Sequence, residues 1–176
     1  PGYGPLIHTP AGVGAEISRF ERPARSGYPL LPAEIAGATS AETALVTVTN
    51  RHNPTGRLAP REELASVAEA VEDVGTRLLV DEVYGPYTAE DDADGAFGGV
   101  TAVGLPNTVV TGSFTKFHGL GGLKIGWLVA DEPFVGRARE VSMHVPAVAE
   151  PSRALARRFF ARSEERRVGK ECTLRC

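Results

Sequence analysis

Hydrophobic and polar positions change period several times along this chain, and each change marks an element. Residues 44–49 form a short β-branched run bounded by polar residues, the pattern of a strand. Between residues 60 and 74, Leu64, Val67, Ala68, Val71 and Val74 recur at the spacing of one helix face. Pro60 suits the first turn of that helix, Glu62 and Glu63 suit its positive N-terminal end, and Gly75 suits the stop. Residues 77–81 are then a nearly continuous apolar run ending in an acid, as in a strand covered on both faces. Residues 107–112 and 124–130 read as further strands. Residues 132–145 read as a helix, and residues 148–160 as a second one beyond the break at Pro146. Near the start, residues 15–20 alternate weakly as a strand and residues 32–38 suggest a short helix. Residues 89–99, rich in Asp and Gly, read as an exposed loop. Strand, helix, strand with short loops is a βαβ unit. The predicted fold class is therefore α/β, a three-layer α/β/α sandwich around a mostly parallel sheet.

In such sheets ligands gather at the carboxyl ends of the strands. Asn53 follows the first predicted strand, Asp81 ends the second, and Lys116 follows the third. Three chemically useful side chains thus fall at one edge of one sheet. Lysine is scarce here, occurring only at Lys116, Lys124 and Lys170, with arginine supplying the other cations. An unprotonated amine condenses with an aldehyde, and free lysine has a pKa near ~10.4. Burial beside another cation would favour the neutral amine. Asp81 closes an apolar run, where an unpaired carboxylate costs several kcal/mol, so it calls for a cationic partner. Glu82, its neighbour, points the other way because side chains alternate along a strand.

Four pieces stand in a fixed order: His52-Asn53-Pro54-Thr55-Gly56, Asp81-Glu82-Val83-Tyr84, Ser113-Phe114-Thr115-Lys116 and Gly122-Leu123-Lys124-Ile125-Gly126-Trp127. In types and order they resemble the large domain of class I/II aminotransferases, fold-type I enzymes that depend on pyridoxal 5′-phosphate. The resemblance implies that Lys116 holds the cofactor as a Schiff base and shuttles a proton between the substrate α-carbon and the cofactor C4′. It implies that Asp81 pairs with the ring nitrogen, and that Tyr84 and Asn53 hydrogen-bond the ring's 3′ oxygen. Ser113, Thr115 and Lys124 would hold the phosphate. Lys124 departs from the family's usual arginine, and a point charge replaces a two-pronged fork there. His52 and Trp127 read as packing residues.

Bulk properties narrow the rest. The 176 residues suffice for one domain with a real core, and 42% hydrophobic with 23% charged residues is ordinary for a globular protein. A net charge of -3 gives no electrostatic case for nucleic acid. No run approaches a membrane span and no signal segment opens the chain, so a cytoplasmic protein with no membrane partner is expected. Both cysteines, Cys172 and Cys176, lie at the extreme end, which leaves no disulfide or metal set to assemble. Residues 162–176 resemble the translation of a common sequencing-adapter DNA and are expected to be non-native. Residues 1–161 are then expected to be part of a cofactor-binding large domain, cut at both ends.

The implied reaction is transfer of an amino group between an amino acid and a 2-oxo acid. Decarboxylases and lyases of the same fold, such as threonine-phosphate-type decarboxylases, share the site chemistry. A different class is a non-catalytic aminotransferase-like sensor domain that binds the cofactor and reports to the DNA-binding module of a transcription regulator. The family also places a ring-stacking aromatic upstream of Pro1 and a substrate-carboxylate arginine in a downstream small domain, and its members are usually homodimers. On that view this segment alone is inactive.

Overall fold

The computed structural model describes residues 2–85, 101–145 and 147–173, with side chains described up to residue 161. Four strands form one open sheet in the order β1-β2-β3-β4: Leu45–Thr49, Arg77–Asp81, Thr108–Ser113 and Gly126–Val129. The first three run parallel and β4 pairs antiparallel to β3. Helices α1 (Pro5–Gly12), α2 (Pro32–Gly37), α3 (Arg61–Glu72), α4 (Glu132–Ser142) and α5 (Glu150–Thr173) flank it. The α/β class and the mostly parallel sheet match the sequence pattern. The loop expected at residues 89–99 lies outside the described residues.

The core forms where two periodicities meet. Helix α3 turns Leu64, Val67, Ala68 and Val71 inward, and β2 turns Leu78 and Val80 toward them; all six are 0% exposed. Val46 and Val48 of β1 and Val110 of β3 extend the same layer. The helix starts after Pro60, which sits one position ahead of the first turn, with Glu62 and Glu63 in that turn. The Glu63 carboxylate takes two bonds from Arg57, at 2.7 and 2.5 Å, and one from the Leu30 backbone N–H at 2.6 Å. Gly75 adopts φ +76° just beyond the helix, a conformation that glycine accepts without strain.

Several boundaries differ from the sequence pattern for identifiable reasons. Residues 15–20 are not a strand. A strand needs a ladder partner, and a cavity of about 660 Å³ lined by Ile17, Phe20, Thr47 and Val48 adjoins them and β1. Strand β2 is not covered equally on both faces: Leu78 and Val80 are buried, whereas Arg77, Leu79 and Asp81 are half-buried. Strand β4 begins at Gly126 and not at Lys124, because Lys124 has φ +52°, which no strand accommodates. Helix α1 was not signalled by the sequence: Pro5 is tolerated in its first turn, but Pro10 lies inside it. Helix α4 stops at Ser142, short of residue 145, and α5 starts at Glu150 and continues past residue 160 to Thr173.

Since Leu64 is fully buried between α3 and β2, Leu64→Ala should destabilise the protein by about 2–5 kcal/mol in urea denaturation. A loss below ~1 kcal/mol would mean that this contact does not anchor α3.

Candidate active site

Strand register builds the site. Thr49 pairs with Asp81, and Asp81 with Thr111, so three polar residues stand in one row across the carboxyl ends of β1, β2 and β3. Paired residues share a face, and the preceding row, Val48, Val80 and Val110, belongs to the core on the opposite face. Thr49, Asp81 and Thr111 therefore look away from the core, and all three line a cavity of about 280 Å³.

Asp81 is the electrostatic centre of this row. Burial pushes its carboxyl up from the ordinary carboxylate range, opposed by hydrogen bonds from the Val83 N–H at 3.1 Å and the Thr111 hydroxyl at 3.4 Å. Both of these bonds fall on Oδ1. Past the strand end, the Gly85 N–H donates to the Glu82 carbonyl at 2.8 Å and closes the turn that carries Tyr84. The Nζ of Lys116 lies 5.9 Å from the centroid of the Tyr84 ring, a cation–π approach that joins the second and third motifs. Lys116 itself is exposed at the cavity's edge.

The loop after β1 presents Asn53. Its N–H donates to the Thr49 hydroxyl at 2.9 Å, which ties the loop back to the end of the strand. The buried Asn50 side chain holds the far side, accepting from the Ala59 N–H at 2.9 Å and donating to the Ala59 carbonyl at 3.1 Å. Gly56 takes φ +75° and donates to the His52 carbonyl at 2.7 Å. His52 is buried, with Nδ1 2.7 Å from the Thr55 hydroxyl and its ring 5.8 Å from that of Tyr28, so it packs the loop.

Beyond β3 the side chains of Ser113 and Thr115 meet, hydroxyl to hydroxyl, at 2.6 Å, and the Thr115 N–H donates to Ser113 Oγ at 3.2 Å. Phe114 between them is fully buried in an aromatic cluster, 5.1 Å from Trp127 and 5.0 Å from Phe159. That cluster explains Gly112: a Cβ there would stand 2.7 Å from the Trp127 ring. Glycine thus lets Trp127 lie against β3 directly beside the hydroxyl pair.

Of the seven residues singled out in the sequence, Asn53, Asp81, Tyr84, Ser113, Thr115 and Lys116 line the one cavity. Lys124 does not: it is exposed, in the left-handed conformation, at the end of the 3₁₀ turn Gly121–Leu123. The sequence reading missed Tyr3, Thr49, Val83, Thr111 and Gly112, which also line it. For Thr49 and Thr111 the available signal was their place at or near the ends of predicted strands; their alignment with Asp81 needed the register. For Tyr3 the signal was a lone aromatic among Pro1, Gly2, Gly4 and Pro5. An aromatic thus already stands at the cavity within the chain, whereas the stacking residue was expected upstream.

The raised pKa of Asp81 gives a pH test. The folded state holds this proton more tightly than the unfolded chain, so the group's stabilising contribution is full below the ordinary carboxylate pKa and is lost as pH rises through the raised one. Asp81→Asn in ligand-free protein should therefore raise the melting temperature at pH 7, with the gain vanishing below the ordinary value near ~3.9. A lower melting temperature at pH 7 would mean that the hydrogen bonds to the carboxylate outweigh its desolvation.

The family described as aminotransferase class I and II matches residues 1–168. A threonine-phosphate decarboxylase from Sinorhizobium is 42% identical over 98 residues, covering 56% of this chain and 28% of the relative. A histidinol-phosphate aminotransferase from Paracoccus denitrificans is 43% identical over 97 residues, covering 55% of this chain and 24% of the relative. The matches thus span about a quarter of the length of these curated relatives. Among solved structures, a PLP-dependent aminotransferase from Streptococcus suis superposes with a TM-score of 0.80 at 22% identity, over 94% of this chain and 43% of that one, a likeness of fold. The chain belongs to the aminotransferase class I and II family of fold-type I, pyridoxal-phosphate-dependent proteins.

Proposed function

We propose that the protein carrying this chain is a pyridoxal-phosphate-dependent aminotransferase that moves an amino group between an amino acid and a 2-oxo acid. The observation that carries this reading is the convergence of a carboxylate, an amide, a phenol, a hydroxyl pair and an amine on one cavity of about 280 Å³. The donor set fits the cofactor. Asp81 is desolvated, and the two hydrogen bonds described for it both use Oδ1, which suits a carboxylate that takes a cationic ring nitrogen on Oδ2. The hydroxyls of Ser113 and Thr115, 2.6 Å apart, suit an oxyanion that would accept from both.

When bound, the cofactor supplies an electron sink for charge developing at the substrate α-carbon. The chain's own residues do the rest. Asp81 would hold a proton on the ring nitrogen, and Tyr84 and Asn53 would donate to the ring's 3′ oxygen. Ser113 and Thr115 would donate to the phosphate, and Tyr3 would offer an aromatic face to the ring. Lys116 would hold the aldehyde carbon until the substrate's amine displaces it, and its freed amine would then carry a proton between the α-carbon and C4′. Lys116 is exposed at the edge of the cavity, where its amine is open to an incoming aldehyde. Lys124 remains a phosphate ligand in this proposal on its position eight residues past Lys116. Assembly as a homodimer and a cytoplasmic location belong to the same reading.

Decarboxylation is a second reading with a specific observation behind it. The decarboxylase relative is as similar to this chain as the aminotransferase relative, 42% against 43% identity. Product analysis by mass spectrometry, with amino acid and 2-oxo acid offered together, separates the two.

Borohydride reduction of the pyridoxal-phosphate-treated protein should fix the cofactor to Lys116, read by peptide mass mapping. Lys116→Ala should carry no label and lose at least ~100-fold in activity, the low end of what a positioned proton-transfer group contributes. Label on a different lysine, or none, would sink the assignment. Lys124→Ala should retain the cofactor less well during dialysis; equal retention would remove Lys124 from the site.

A further inference from the structure

We infer that Glu82 is a positioning residue for this site: its buried carboxylate fixes the turn that presents Tyr84 to the cavity. The inference rests on the cofactor reading proposed above. Adjacent acids leave the end of β2 in opposite directions. Asp81 lines the cavity, whereas Glu82 does not and is only 9% exposed.

Every polar group of Glu82 is engaged, and together they reach three segments. Oε1 accepts from the Ala102 N–H at 2.7 Å and Oε2 accepts from the Thr101 hydroxyl at 2.7 Å. Its own N–H donates to the Thr111 carbonyl at 2.8 Å, extending the β2–β3 ladder one residue beyond Asp81. Its carbonyl accepts from the Gly85 N–H at 2.8 Å, closing the turn that contains Val83 and Tyr84. Residues 101–103 are held in turn by Arg61, the first residue of α3, which donates to the carbonyls of Thr101 and Val103. The Arg61 charge also favours the ionised form of Glu82 against the burial that opposes it.

An apolar side chain would fill this volume at lower electrostatic cost. A buried carboxylate with both oxygens engaged is instead a directional fastener, rigid because each bond is charge-assisted. It locks the start of the turn to the helix layer while the Thr111 hydroxyl on the next strand locks Asp81. Tyr84 then projects from a turn whose first residue is held at three points. Hydrogen bonding to a ring oxygen tolerates only small errors of placement. Truncating Glu82 would leave the N–H of Ala102, a residue that is 0% exposed, without its acceptor and would let the turn move.

The test measures pyridoxal-phosphate affinity of the full protein by absorbance titration, alongside thermal melts followed by circular dichroism. Glu82→Ala should weaken binding at least tenfold, the size of one or two lost hydrogen bonds. Glu82→Gln, which keeps an acceptor for Ala102 and a partner for Thr101, should stay within about threefold of wild type. Because Glu82 acts through Tyr84, the double variant Glu82→Ala/Tyr84→Phe should bind within about twofold of Glu82→Ala alone. Losses that multiply, or a Glu82→Ala protein that binds like wild type, would overturn the inference. Should Glu82→Ala fail to fold, Thr101→Val removes one arm only: a loss of about threefold that disappears in the Tyr84→Phe background supports the role, and no loss overturns it. Wild-type protein that takes up no cofactor would overturn the proposed function and this inference together, whereas binding that is indifferent to Glu82 overturns this inference alone.

Discussion

A carboxylate at the end of a parallel strand loses water that the protein does not fully replace, and the site depends on that deficit at Asp81. Burial raises its pKa, and the two hydrogen bonds described for it, from Val83 and Thr111, oppose the shift. Such a group is poised for a cation that arrives from the cavity. Its position is set by the layer behind it. Leu78 and Val80 are locked against α3, so β2 cannot slide, and the residue that follows Val80 is delivered to the opposite face. A one-residue slip would bury Asp81 and point Val80 into the cavity.

Around this fixed point, the loops are fastened by polar contacts that leave the functional atoms outward. Asn50 pins the loop of Asn53 to Ala59, Thr49 caps its first residues, and Glu82 fastens the turn of Tyr84 to residues 101 and 102. Phe114 does the equivalent work by burial, sinking between two hydroxyl residues that stay at the cavity. The scaffold is therefore apolar beneath the sheet and hydrogen-bonded at its rim. The Lys116 amine is the freer element, exposed and near the Tyr84 ring, which suits the covalent role proposed for it.

Family membership and site geometry concern the same half of the problem. On the proposed reading the residues that converge here would hold and activate the cofactor, and a decarboxylase and an aminotransferase are of similar identity to this chain. None of the residues assigned above is given the task of gripping a substrate's carboxylate or side chain.

The amino-acid sequence by itself determined the alternation of strands and helices, the α3 face and six of the residues at the cavity. These are local properties: the spacing of Leu64, Val67 and Val71, the acid that closes an apolar run, the lysine that follows a strand. Register, exposure and edge effects are not local. The weak alternation of residues 15–20 could not become a strand without a neighbour to complete its ladder. Lys124 matched by spacing, yet it has a left-handed backbone and is not among the residues that line the cavity. Thr49 and Thr111 read only as strand formers until pairing placed them beside Asp81. Glu82 was legible as a residue facing away, but not as a fastener, because its partners lie 19 and 20 positions along the chain. Chemistry and periodicity are written residue by residue, whereas contact between distant segments exists only once the sheet has closed on its core.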